Sequence, residues 1–210
     1  MSTICIIPAR GGSRRIQLKN IKEFHGKPII SYPIEIAKES GLFDEIIVST
    51  DSKEIADISR RYGATIHNRS DEMARDEVGT QKVVGDAIYG HGIHNGYVCC
   101  IYATAPLMSV DDLKKGLRIL KGNPRLDYAF SVGTNPLRDA GQFYWGWASS
   151  FLENLPLVEQ HTAMIPIAPE RVCDINVLED FSRAEKMYKA LHPPDDYSDL
   201  SLQSLFKCNQ

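Results

Sequence analysis

The residues best suited to chemistry are gathered near the amino terminus, in Ala9-Arg10-Gly11-Gly12-Ser13-Arg14-Arg15-Ile16-Gln17-Leu18-Lys19-Asn20. The segment carries arginines, a lysine, paired glycines and a serine, and it follows directly on the apolar run Ile4-Cys5-Ile6-Ile7 and Pro8. Glycine lets the backbone turn tightly and bring its amides close to a ligand. Cations clustered beside such amides suit a polyphosphate. The plainer alternative is a solvated basic loop. Its place at the end of a strand buried on both faces, where open α/β sheets bind their ligands, favours a phosphate cradle.

A second candidate lies near the other end, where Asp174-Ile175-Asn176 sets two oxygen-bearing side chains at i and i+2. On an extended segment both point to one face, a spacing suited to one hard cation such as Mg²⁺. The same residues also read as a helix start, with Asn176 as the cap helped by Glu179. His91 and His94 have a metal-like spacing, but they sit among Gly90, Gly92 and Gly96, where a helix should be ending. Neither G-x-x-x-x-G-K-[ST] nor G-x-G-x-x-G occurs, so a P-loop ATPase and a dinucleotide fold are not indicated. No G-x-S-x-G elbow or Cys-His arrangement argues for a covalent nucleophile.

The elements that must position these groups alternate. Strands are expected over Thr3 to Ala9, Glu45 to Thr50, Ala64 to His67, Gly96 to Tyr102 and Asp127 to Val132. Helices fall between them: one opened by Pro28 and ended by Gly41, one capped by Asp51 with Glu54, one capped by Thr80, and one capped by Ser109 with Asp112. This order predicts an α/β fold with three layers and a mostly parallel sheet. Strand ends one, two and four should bring the basic loop, Asp51, the charged loop around Arg69 and the Tyr102 to Pro106 loop to one edge. Beyond Gly133 the alternation breaks at Gly141-Gln142-Phe143-Tyr144-Trp145-Gly146-Trp147, which without further information reads as core packing. Short strands at 163–167 and 171–174 and a last helix from Val177 to Leu191 follow. The domain is expected to end at 192, leaving 193–210 as an acidic tail.

The chain has 210 residues, enough for one such domain, with 43% hydrophobic and 24% charged residues. Its net charge of −3 makes the basic loop a local feature and argues against a broad nucleic-acid surface. No apolar run reaches a membrane-span length, and the chain enters its first strand without a signal peptide. Cys5, Cys99 and Cys100 lie in apolar runs and read as small core residues of a reducing, cytoplasmic compartment.

The Ile-Pro-Ala-Arg-Gly-Gly-Ser…Lys-Asn segment resembles that of the sugar-nucleotide cytidylyltransferases, the CMP-sialic acid synthetase group, which is related to the CMP-KDO synthetases. Further resemblance lies in Phe-Asp-Glu-Ile-Ile-Val-Ser-Thr-Asp at 43–51, in Arg69…Glu72…Asp76, and in Asp-Ile-Asn at 174–176. Tyr-Ala-Thr-Ala-Pro at 102–106 and Asp-Ala-Gly-Gln-Phe-Tyr-Trp-Gly at 139–146 are most similar to the pseudaminic acid branch. The resemblance covers about residues 1 to 191. It implies a Rossmann-like nucleotidyltransferase fold and transfer of CMP from CTP, with Mg²⁺, onto the anomeric hydroxyl of a nonulosonic acid. Sialic acid or KDO as acceptor, or a degenerate relative that binds without catalysis, are the alternatives.

Carried over residue by residue, the resemblance makes Lys19 and Arg10 the catalytic cations. Ala9, Gly11, Gly12, Ser13 and Asn20 would hold the nucleotide and its phosphates. Arg69, Val78 and Thr80 would contact base or ribose, and Tyr102 nucleotide and sugar. Gln142, Phe143 and Tyr144 would lie near the sugar, and Asp174 and Asn176 would bind the metal. Three departures stand out: Gln17 and Asn176 stand where the family usually has proline and aspartate, and the stretch between Val132 and Asp139 is a few dozen residues shorter. In relatives that stretch helps build a dimer contact and the sugar pocket. A homodimer should therefore be weakened here, with Arg138 the nearest stand-in for a basic residue.

Overall fold

In the computed structural model, which describes residues 1–193, the first strand β1 (Ser2–Pro8) runs into the basic loop, which ends in a 3-10 turn at Lys19–Ile21. A two-residue hairpin, β2 (Glu23–Phe24) with β3 (Lys27–Pro28), precedes α1 (Ser31–Ser40). Pro28 therefore closes the hairpin instead of opening the helix. Gly41 ends α1 in the left-handed conformation at φ 63°.

Then come β4 (Glu45–Thr50), α2 (Lys53–Arg61), β5 (Thr65–Asn68), α3 (Thr80–Gly90) and β6 (Gly96–Ile101). α4 (Val110–Gly122), β7 (Tyr128–Thr134), β8 (Leu137–Trp147), α5 (Ala148–Leu152), β9 (Thr162–Pro166) and α6 (Leu178–Leu191) complete the chain. The 171–174 segment is a 3-10 turn, Pro169–Arg171, followed by irregular chain, not a strand. The expected tail lies, from residue 194, outside the described residues.

Seven strands form one sheet in the order β5-β4-β1-β6-β8-β7-β9. Its neighbours run parallel except at β8, which is antiparallel to both β6 and β7. The aromatic run is thus an interior strand. Successive side chains of a strand face opposite sides, and the core obeys this: Cys5, Ile7, Val48, Cys99, Phe143 and Trp145 join α1, α2 and α4 on one side. Ile4, Ile6, Ile47, Cys100 and Tyr144 join α3 and α5 on the other. The result is the expected three-layer α/β/α arrangement.

Trp145 anchors the first face. It is fully buried, stacks on Phe43 at 5.3 Å between ring centroids, and donates its indole N–H to Leu113 O at 3.1 Å. A third cluster, with Ile16, Phe24, Ile175 and Phe181, fastens α6 and the segment before it against the basic loop. Among the described residues no helix is long and apolar enough to cross a membrane, and the four described cysteines are free and buried.

Candidate active site

The carboxyl ends of β1, β4 and β6 meet at one edge of the sheet, where the chain leaves three adjacent strands. The basic loop is held there from several sides. Ala9 continues β1 by donating its N–H to Ser49 O at 2.9 Å, and Asn20 Nδ2 ties the far end of the loop back to Arg10 O at 2.9 Å. The Gly11 N–H donates to Asp51 Oδ1 at 2.8 Å, and a Cβ at Gly11 would come within 3.0 Å of Ser52 Cβ. Glycine suits the position because a side chain there would crowd the Ser52 side chain. Asp51 is therefore spent on the loop, and the cap of α2 is Ser52, whose Oγ accepts from Ile55 N at 3.4 Å. A side-chain oxygen on an exposed N–H is what a helix start requires, and the neighbouring serine meets it.

Leu18 turns through the left-handed region at φ 51° and delivers Lys19, whose Nζ donates to Ile175 O at 2.7 Å. Arg15 donates to Asn176 Oδ1 at 3.0 Å, and Asn176 Nδ2 to Asp174 Oδ2 at 2.6 Å. The basic loop and the Asp-Ile-Asn segment, 156 positions apart in sequence, are thus stitched into one wall. Asn176 is not the cap of α6. Val177 takes that position, and the Asp180 carboxylate accepts the N–H groups of Asn176 and Val177 at 2.9 and 3.0 Å. This leaves the Asn176 carboxamide free to face the loop.

A cleft of about 510 Å³ opens at this edge. Arg10, Arg14, Arg15, Lys19, Arg69 and Arg75 line it, against a single carboxylate, Asp76, among the described residues. Burial lowers the Lys19 ammonium from its usual value; nearby Asp174 opposes the shift, and Arg15 and Arg10 add to it. Burial likewise lowers the Arg69 guanidinium, with Asp51 opposing. Arg69 is 8% exposed and fixed by Ser49, donating to its carbonyl at 2.8 Å and to Oγ at 3.3 Å. Burial raises the Tyr102 phenol, which therefore stays a neutral hydroxyl.

Of the residues singled out from sequence, Arg10, Ser13, Lys19, Asn20, Arg69, Val78, Thr80, Tyr102 and Asn176 all line the cleft. Gly11 and Gly12 shape the loop beside it, and Ala9 is fully buried, so it offers backbone and not side chain. Asp174 stands behind Asn176 and outside the lining.

Gln142, Phe143 and Tyr144, expected near the sugar, are buried in the sheet and do not line this cleft. Phe143 and Tyr144 are 0% and 1% exposed in opposite cores, because β8 runs through the sheet and its alternating side chains fill both layers. Gln142 is 2% exposed; its Nε2 donates to Arg171 O at 2.5 Å, and none of the three reaches the cleft. The strand's role is indirect: Gln142 O accepts the Tyr102 N–H at 2.9 Å, and Tyr144 lies edge-on behind the Tyr102 ring. Met73, Arg75, Val83, Ala103 and Thr104 also line the cleft. Each follows within a few positions of a residue already singled out, which was the available signal.

A cation-lined cleft at the carboxyl edge of a three-layer, mostly parallel sheet defines a protein that binds nucleotide phosphates. The chain belongs to the cytidylyltransferase family, whose model matches residues 4–144, and it is an enzyme of that class that uses CTP. It is 33% identical to the pseudaminic acid cytidylyltransferase of Campylobacter jejuni, over 91% of this chain and 98% of that protein. The CMP-N,N'-diacetyllegionaminic acid synthase of Legionella pneumophila is 34% identical over 58% of this chain and 54% of its own length. A solved structure of CMP:2-keto-3-deoxy-manno-octonic acid synthetase complexed with CTP superposes with a TM-score of 0.72, covering 91% of this chain and all of that one. At 13% identity that likeness shows the fold.

The alignment with the Campylobacter protein runs over 234 positions, more than the whole of this 210-residue chain. Where the sequence points to a missing segment, β7 and β8 are joined by a tight turn, with Thr134 paired to Leu137.

Proposed function

We propose that the enzyme transfers CMP from CTP to the anomeric hydroxyl of a nonulosonic acid, pseudaminic acid or a close 2-keto sugar, and releases pyrophosphate. The observation that carries this is the cleft itself, six cations against one carboxylate beside a glycine-bent loop, in a chain similar along nearly its full length to a pseudaminic acid cytidylyltransferase. In-line attack at the α-phosphorus spreads negative charge over the phosphoryl oxygens and the departing pyrophosphate. The protein then has little covalent work and much electrostatic work. In this reading Lys19 and Arg10 balance that charge, and Asn20 keeps the two ends of the loop in register. Arg69, Val78, Thr80 and Tyr102 surround the base and ribose.

The donor set at 174–176 suits a hard cation held mostly by substrate. Mg²⁺ typically takes one or two carboxylates and completes its shell with waters and substrate phosphates. Here the Asp174 carboxylate accepts from the Asn176 amide nitrogen while the Asn176 carboxamide oxygen accepts from Arg15, so the two side chains are neighbours, and among the described residues no cluster of three acidic, histidine or cysteine side chains forms a dedicated cage. Asp174 and Asn176 are the residues that would hold a divalent cation, Mg²⁺ in this proposal. When bound, such an ion neutralises phosphate charge as a Lewis acid. Holding Arg15 and Lys19 against this segment keeps cations and metal donors in one rigid wall.

Incubation with CTP, Mg²⁺ and a panel of 2-keto sugar acids, with pyrophosphate as the readout, tests the proposal. Release is expected with pseudaminic acid and with CTP in preference to UTP or GTP. No release with any nonulosonic acid overturns it.

A further inference from the structure

Asp76 runs against the character of the cleft it lines. One of its carboxylate oxygens pairs with Arg10 Nη1 and the other with Arg14 Nη2 at 2.9 Å. Those two guanidiniums belong to the loop that faces phosphate. Arg14, whose side chain is 84% exposed, makes no other ion pair among the described residues. The segment that carries Asp76 is rooted at Arg69, which is pinned to Ser49 and whose N–H donates to Thr50 O at 2.9 Å. From there to Thr80 it consists of turns without a helix or strand, so it can shift without breaking a regular element.

We infer that Asp76 is a built-in competitor of the polyphosphate: its carboxylate occupies on Arg10 and Arg14 the donors that phosphate oxygens take when nucleotide enters. The inference rests on reading the cleft as the CTP site and adds a residue to its working. A carboxylate carries one charge, so a triphosphate outbids it for two guanidiniums whereas a phosphodiester has no such advantage. The exchange therefore favours entry of CTP over retention of the CMP-sugar, whose phosphodiester group carries one charge. On the way out the same carboxylate loosens pyrophosphate by reclaiming both arginines. The bond changes are hydrogen bonds and ion pairs only; no proton or covalent bond moves.

Calorimetric titration of wild type, Asp76→Asn and Asp76→Glu with CTP, pyrophosphate and the methyl ester of CMP, a phosphodiester, tests this. Both ion pairs are partly exposed, so their loss corresponds to a change of about three- to tenfold. The Asn variant is expected to bind CTP and pyrophosphate tighter by that factor, with the phosphodiester unchanged within about twofold. The Glu variant, which keeps the charge, is expected to match wild type. Unchanged or weaker binding of CTP and pyrophosphate by Asp76→Asn, or a Glu variant as tight as the Asn variant, overturns the inference. Wild type that binds pyrophosphate but not CTP overturns the CTP reading instead and leaves the pyrophosphate comparison as the test of Asp76.

Discussion

Replacing Gly141 by alanine reaches the candidate metal donors from behind. Gly141 sits in β8 at φ +64°, and a Cβ there would lie 2.9 Å from Cβ, Cγ and Oδ1 of Asp174. Its N–H also donates to Asp139 Oδ1 at 2.7 Å, which fixes the backbone so that it cannot easily turn away. Two costs follow. An alanine in the left-handed region, added to a contact that must be relieved by movement, costs about 2 kcal/mol, an expected fall in Tm of about 4–8 °C for a domain of this size. Relief of the contact pushes Asp174 out of its 2.6 Å hydrogen bond with Asn176. The Mg²⁺ concentration for half-maximal pyrophosphate release is then expected to rise several-fold, while CTP binding measured without metal stays unchanged. Thermal melts and a Mg²⁺ titration of turnover read the two effects separately. A variant that melts lower but keeps the wild-type metal dependence would refute the placing of Asp174 at the metal, and one unchanged in both would refute the geometry itself.

Lys19→Ala is expected to lower turnover by about 10²–10³-fold, the usual loss for one preorganised charge-stabilising donor, with a much smaller change in CTP affinity; unchanged turnover counts against the role. Because burial holds the Lys19 ammonium below its ordinary 10.5, raising the pH neutralises it earlier than a surface lysine, so kcat/KM should fall on an alkaline limb below that value and Lys19→Arg should move the limb upward. Asn176→Asp replaces an amide donor facing Asp174 with a second carboxylate, so Tm without metal should drop while the half-saturating Mg²⁺ falls, as two differential-scanning runs and a metal titration would reveal. Trp145→Ala, in the centre of the sheet, is expected to cost about 3–5 kcal/mol in denaturant unfolding; a loss under about 1 kcal/mol would contradict its place in the core.

Much of the site was legible because local chemistry and fold geometry agree at its centre. A strand that stops at Pro8 and releases glycines and arginines can do little else at that edge of a parallel sheet. Lys19, Asn20, Arg69 and Tyr102 followed from the same logic and the family resemblance. What misled was the aromatic run at 143–147. Its residue types alone read as core packing, which pairing with β6 on one side and β7 on the other bears out; the family resemblance drew Gln142 to Tyr144 toward the sugar.

Caps misled for a related reason. Asp51 and Ser52 are both good N-cap residues, and the choice falls to a long-range partner, the Gly11 amide, that no local pattern announces. The stitching of Lys19 to Ile175 and of Arg15 to Asn176 joins segments distant in sequence and was invisible for the same reason. Burial of the Gln142 side chain carries no sequence signal at all.

The reversed strand β8 has a consequence for how the chain is made. β6 is finished at Ile101, yet its open edge is closed by residues 143–147, after α4 and β7 have been synthesised. A ribosome-bound chain therefore holds β5, β4, β1 and β6 ready to pair while an apolar edge waits for some forty residues still to come. β7 cannot take that edge in its place, because in the finished sheet it lies beyond β8. The short β7–β8 turn brings β8 up immediately after β7, so the two arrive as a hairpin. Shortening this stretch therefore also shortens the interval in which a half-made enzyme could pair with a neighbouring nascent chain.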